Sequence, residues 1–195
     1  MKNKGFTLLE VLVTVAIMGL VIVLVSGFMS TGMKTSSRAN VETNLQKEAQ
    51  TGLNQVTDWV MSANHGIAVY EACAHYTRAV GIYHDGETAE DKYVQILFYR
   101  EADKKVYYHK EEIVASFHGT ETEIMAIAAS IDTLGSWDNY LFCEYVKDFN
   151  MDIAHINEKY VELVMVLELE NIQYNQEPKK IMLRNKPVIN PTDYK

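Results

Sequence analysis

Cysteine, proline and basic side chains are the scarce components of this 195-residue chain. Its two cysteines, Cys73 and Cys143, are too few for a disulfide-dense scaffold or a four-cysteine zinc site. Three prolines, the first of them Pro178, and ten glycines leave little room for low-complexity linkers. Lysine and arginine number 18 against 26 acidic side chains, a formal charge of −8, which argues against broad nucleic-acid binding through a basic surface. The motifs HExxH, GxSxG, GxGxxG and the P-loop are missing too. The averages, 48% hydrophobic and 23% charged, exclude a disordered, collagen-like or multi-span membrane protein. The length allows one domain, or a domain plus an appendage.

Those averages conceal an uneven distribution. No residue in positions 11–33, VLVTVAIMGLVIVLVSGFMSTGM, is charged. As a helix rising about 1.5 Å per residue this run spans roughly 35 Å, more than the ~30 Å hydrocarbon core of a bilayer. Lys2 and Lys4 precede it without an acid between them, which predicts a cytoplasmic N-terminus and an outward remainder. A buried core helix is a poor account of such a run at an extreme terminus. A secretory signal has a shorter apolar region and a small-residue cleavage site, which Ser26-Gly27 matches loosely. An ordinary signal anchor competes best, but it leaves Glu10 unexplained. A carboxylate at the centre of a membrane helix costs about 2.5–3.5 kcal/mol, so an acid in such a helix calls for a functional reading and a partner. The nearest positive groups are Lys2, Lys4 and the α-amine that a cut after Gly5 would create on Phe6.

The segment Lys4-Gly5-Phe6-Thr7-Leu8-Leu9-Glu10, followed by a long apolar helix, resembles the class III signal of type IV pilins and type II secretion pseudopilins. The resemblance covers about 30 residues and implies a membrane prepilin peptidase that cuts between Gly5 and Phe6 and methylates the Phe6 amine. It also implies an assembly role for Glu10, pairing with the terminal amine of a neighbouring subunit, since two charges leave water cheaply only when they meet. Glycine before the cut lets the backbone approach the peptidase closely. The expected partners are other pilin or pseudopilin subunits, the peptidase, the inner-membrane assembly platform and the membrane, with no nucleic acid. The expected location is a single-pass cytoplasmic-membrane protein with an extracytoplasmic head, then an extracytoplasmic filament.

Beyond the run, Val41, Leu45, Ala49, Leu53, Val56 and Val60 recur at spacings of three and four, one apolar helical stripe. The simplest reading is one helix of about 55–60 residues, stopped by Asn64-His65-Gly66. The chain thus divides into a leader (1–5), a transmembrane or filament-core helix (6–30), its amphipathic continuation (31–64) and a globular head (65–195). In the head, 93–99 and 105–109 read as a hairpin, 121–131 as a short helix, and 140–153, 160–170 and 179–184 as further strands. The expected fold is α+β: a long N-terminal helix packed on an antiparallel β-sheet head. The segment order of the second half resembles the larger minor pilins, the J-type pseudopilins and W-type minor pilins, over about 45 residues.

Other constellations are sparse. An extracytoplasmic head permits a Cys73–Cys143 disulfide, two separate buried thiols being the alternative. Cys73-Ala74-His75 fits no common zinc spacing, and no metal site is expected. Asp85, Glu87, Glu90 and Asp91 fit no EF-hand and read as a solvated acidic loop, with calcium the alternative; no cofactor is expected. The sequence therefore reads as a non-enzymatic minor subunit of a pilus, competence filament or secretion pseudopilus. The competing reading is a signal-anchored extracytoplasmic enzyme, sensor or ligand-binding protein.

Overall fold

The computed structural model describes residues 7–86, 91–113, 117, 119–135 and 137–184. Its first element, α1, is a continuous helix Leu8–Ser62 of 55 residues. The Thr7 hydroxyl accepts the Glu10 N–H at 3.3 Å, the N-cap bond that satisfies one orphan donor of the first turn. No proline interrupts the helix. The chain forms two compact units, residues 1–41 and 42–195, so the second takes in the outer part of α1. In that part Leu45, Ala49, Gly52, Leu53, Val56 and Val60 are buried, a stripe with helical spacing.

Four antiparallel strands, β1 (Gly66–Tyr70), β2 (Arg78–His84), β3 (Tyr93–Arg100) and β4 (Lys105–Glu112), form a sheet in sequence order, and β5 (Leu141–Cys143) adds to β4. The pleat sends alternate residues of each strand to opposite faces. One face carries Tyr108 and Phe142, against which Trp59 of α1 packs at centroid distances of 4.5 and 5.2 Å. The other carries Tyr70, Tyr83, Ile96, Phe98 and Tyr107, which form a core with Ile124, Ala128 and Ile131 of the helix α2 (Glu121–Thr133). Thr120 and Glu123 close a reciprocal capping box on α2. The Tyr70 and Tyr83 hydroxyls hydrogen-bond each other in this core, and Tyr70 also donates to the Gly119 carbonyl at 2.8 Å. Gly81 leaves room for them, because a Cβ there would lie 3.0 Å from the Tyr83 ring and 3.2 Å from that of Tyr70.

A second antiparallel sheet pairs β6 (Val146–Asp152) with β7 (Tyr160–Leu169), whose other edge carries β8 (Ile172–Asn175) and β9 (Lys179–Met182). On β7, Val161, Leu163, Met165 and Leu167 are buried in strict alternation. Gly52 of α1 makes room for this sheet: a Cβ there would stand 3.1 Å from Met165 Cε. Backbone and side chains join the two sheets. Val146 N–H donates to Lys104 O at 2.7 Å, Arg78 donates to Phe149 O at 2.6 Å, and Glu168 binds Lys104 at 3.1 Å while holding Lys147 of its own sheet at 2.7 Å.

The fold is α+β, a long N-terminal helix followed by an antiparallel head. The hairpin, the short helix and the strands at 160–170 and 179–184 lie within a few residues of their expected bounds. The expected single strand 140–153 is instead a 3-10 turn, β5 and β6, divided between two sheets. The division falls at Tyr145, whose φ of 61° takes the chain out of the extended region. The structure also adds β1, β2 and β8, which the sequence pattern does not predict.

Candidate assembly and processing segment

Apolar side chains cover the inner part of α1 on every side. Leu12, Leu20, Leu24 and Phe28 are 67, 68, 65 and 82% exposed, and the most apolar 18-residue window has a mean hydropathy of 2.9 with no residue buried. Gly19, Gly27 and Gly32 likewise have open space around them. Backbone polarity is resolved within the helix. The Thr14 hydroxyl donates to the carbonyls of Val11 and Glu10 at 2.8 and 3.0 Å, and that of Thr31 to Gly27 at 3.0 Å. A helix that hides its polar groups while exposing an apolar surface suits a lipid environment or a packed bundle of like helices.

Glu10 is the acidic residue of the first turn of this helix. Its position, three residues after the capping Thr7, sets the carboxylate at the positive end of the macrodipole, which is worth about 0.3–1 kcal/mol at an exposed site. No salt bridge to Glu10 is formed by a cation among the described residues. The expected cleavage residues Gly5 and Phe6, with Lys2 and Lys4, lie outside the described residues.

The structure does not join the cysteines. Both are free thiols, contrary to the disulfide that the sequence permitted. Cys73, in the β1–β2 connection, packs on the core that contains α2. Cys143 on β5 lies beneath α1, its Sγ 3.7 Å from the Cβ position of Gly52, so the five-stranded sheet stands between them. Burial pushes the Cys143 thiol pKa up, and the Glu48 and Glu144 carboxylates act in the same direction.

Several polar groups of the head pair with one another. The His75 ring hydrogen-bonds Asp132, and the Cys73 sulfur accepts the His75 backbone N–H at 3.4 Å. Asp132 also accepts from the Trp137 indole, and Arg100 stands 3.9 Å away. Burial raises the pKa of this carboxyl, but Trp137, His75 and Arg100 outweigh it and leave a net lowering. His75 and Asp132 lie far apart in the chain, so no sequence spacing pointed to this cluster. Of the acidic loop, Glu87 and Glu90 lie outside the described residues, while Asp85 binds Lys92 at 3.0 Å and exchanges two hydrogen bonds with Asn64. No three His, Cys, Asp or Glu side chains among the described residues converge as a metal site.

Residues 1–26 match the family model of the prokaryotic N-terminal methylation motif. No curated protein and no solved structure matches the chain. The motif spans the leader, Glu10 and most of the exposed apolar helix, and it supports prepilin-type processing, membrane anchoring and assembly in the manner of type IV pilins and pseudopilins.

Proposed function

We propose that this chain is a structural, non-enzymatic minor subunit of a type IV pilus, competence filament or type II secretion pseudopilus. The observation that carries the reading is the methylation motif on a helix whose apolar surface is left uncovered among the described residues. In this reading the leader directs insertion with the head outside the cytoplasm. The peptidase removes residues 1–5 and methylates Phe6, and α1 then leaves the bilayer for the core of a filament. The helix exchanges one apolar environment for another, so transfer needs little desolvation. Glu10 is the exception, and pairing with the terminal amine of a neighbour sets the axial register between subunits. The two sheets and the α2 core give the head buried apolar contacts of its own.

The test is assembly. Glu10→Val keeps an apolar helix but removes the charge, so the variant should be processed and remain in the membrane while incorporation into filaments falls at least about tenfold, the equivalent of ~1.4 kcal/mol. Wild-type incorporation by Glu10→Val would remove the role assigned to this carboxylate. Affinity capture of the cross-linked wild-type protein should recover other pilin-like subunits, and recovery of none would remove the assembly reading.

A further inference from the structure

His84 and Gln95 are polar side chains buried inside the head, 5 and 6% exposed. The register of β2 on β3 puts both on the face toward α1, His84 opposite Tyr93 and Gln95 opposite Ile82. His84 Nε2 lies 2.9 Å from Gln95 Oε1, and Gln95 Nε2 donates to the Tyr108 hydroxyl at 3.0 Å. The Tyr108 ring in turn stacks on Trp59. The imidazole also faces the backbone carbonyl of Ser62, the last residue of α1. This chain of contacts therefore starts and finishes on the end of α1. The position matters because the final carbonyls of a helix have no partner within it, and the last turn of α1 contains no basic residue.

We propose that His84 and Gln95 form an acid-sensitive latch, which holds the last turn of α1 to the five-stranded sheet while the imidazole is neutral and loosens it when the imidazole takes up a proton. The charged and titratable surroundings decide the direction. On β3, Tyr93 stacks on the His84 ring at 4.5 Å, and on β4 the Lys110 ammonium sits 3.8 Å from the centroid of Tyr93. Glu112, opposite Tyr93, and Asp58 of α1 are exposed. At the end of β2, Asp85 is engaged with His65 and Lys92. No carboxylate among the described residues pairs with the imidazole, so a proton there would place a charge in the core without a counter-ion.

A neutral imidazole has one N–H and can answer the Ser62 carbonyl or Gln95 Oε1, but not both. Protonation would supply the second donor. Burial outweighs that gain, and Lys110 acts with burial, so the pKa lies below its ordinary 6.5. The unfolded chain then binds the proton more readily than the folded one. The latch contributes in full above about pH 6.5, and its contribution falls as the pH drops from there toward the lowered folded value.

Hydrogen exchange of the full chain in detergent tests this at the amides of residues 56–62, corrected for intrinsic rates, at about pH 7.5 and about pH 5.5. The opening equilibrium should rise with acid, up to about tenfold for each unit by which the pKa is depressed. His84→Gln should abolish that dependence and His65→Gln should keep it. Equal protection at both pH values in the wild type, or an unchanged acid response in His84→Gln, would overturn the proposal. If His84→Gln does not fold, the NMR titration of the His84 ring in the wild type decides. A midpoint below 6.5 supports the latch, and one at or above 6.5 overturns it.

Discussion

Leu20 and Leu53 stand on the same helix, yet the first is 68% exposed and the second 2%. Both obey the same backbone geometry, and neither position contains a helix breaker, so propensity does not separate them. Their neighbourhoods do. Around Leu53 the sequence places apolar residues on one stripe with Glu42, Gln46, Lys47, Gln50 and Asn54 elsewhere, and the sheets of the head cover that stripe. Around Leu20 apolar residues occupy every side, and none of the described residues covers them. A one-sided stripe signals intramolecular packing; an all-round apolar surface signals a bilayer or other copies.

The contrast can be broken by substitution. The largest difference should come from truncating the two leucines. Leu53→Ala should destabilise the head by about 2–5 kcal/mol, whereas Leu20→Ala should leave its unfolding within about 0.5 kcal/mol of wild type. Thermal unfolding followed by near-ultraviolet circular dichroism in detergent reads both. Equal effects would contradict the contrast between the two positions.

Glycines offer the next comparison. Gly52→Leu drives a side chain into Met165 and Cys143 and should cost about 1–3 kcal/mol, while Gly27→Leu, in open space, should not alter head stability. The same unfolding assay distinguishes them. Helix caps come third. Thr120→Ala removes the capping box of α2 and should cost the head about 1 kcal/mol, whereas Thr7→Ala acts only at the start of α1.

The smallest effect concerns the exposed bridge between the sheets. Hydrogen bonds from Lys147, Lys104 and Gln173 hold the Glu168 carboxyl at a pKa of about 2. Its contribution to stability is present above the ordinary value of 4.5 and declines as the pH falls toward 2. Glu168→Gln should flatten the acid limb of the stability profile between those values, as chemical denaturation at a series of pH values would reveal. An unchanged limb would show that the bridge contributes nothing measurable.

The sequence disclosed the parts of this molecule that rest on local pattern. The uncharged run, Glu10 at its edge and the stripe from Leu45 to Val60 needed no knowledge of the fold, and the β3–β4 hairpin announced itself through Tyr93–Arg100 and the polar turn after it. Strand β2 was hidden because Arg78–His84 is buried on both faces, so it shows no alternation, and Gly81 dilutes its strand signal. The split of 140–153 depends on a left-handed Tyr145, a residue type that gives no warning of positive φ. The polar pairs His75–Asp132 and His84–Gln95 join residues remote in sequence, and only the sheet registers bring them together. The separation of Cys73 from Cys143 by the sheet has the same origin.

Prepilin-type processing and assembly turn on where the mature chain starts. Mass spectrometry of the N-terminal peptide, taken from protein recovered in filaments of cells with an active prepilin peptidase, reads that start. The expected peptide begins at Phe6 with one added methyl on its amine. Filament-borne protein that retains Met1 through Gly5 would contradict it.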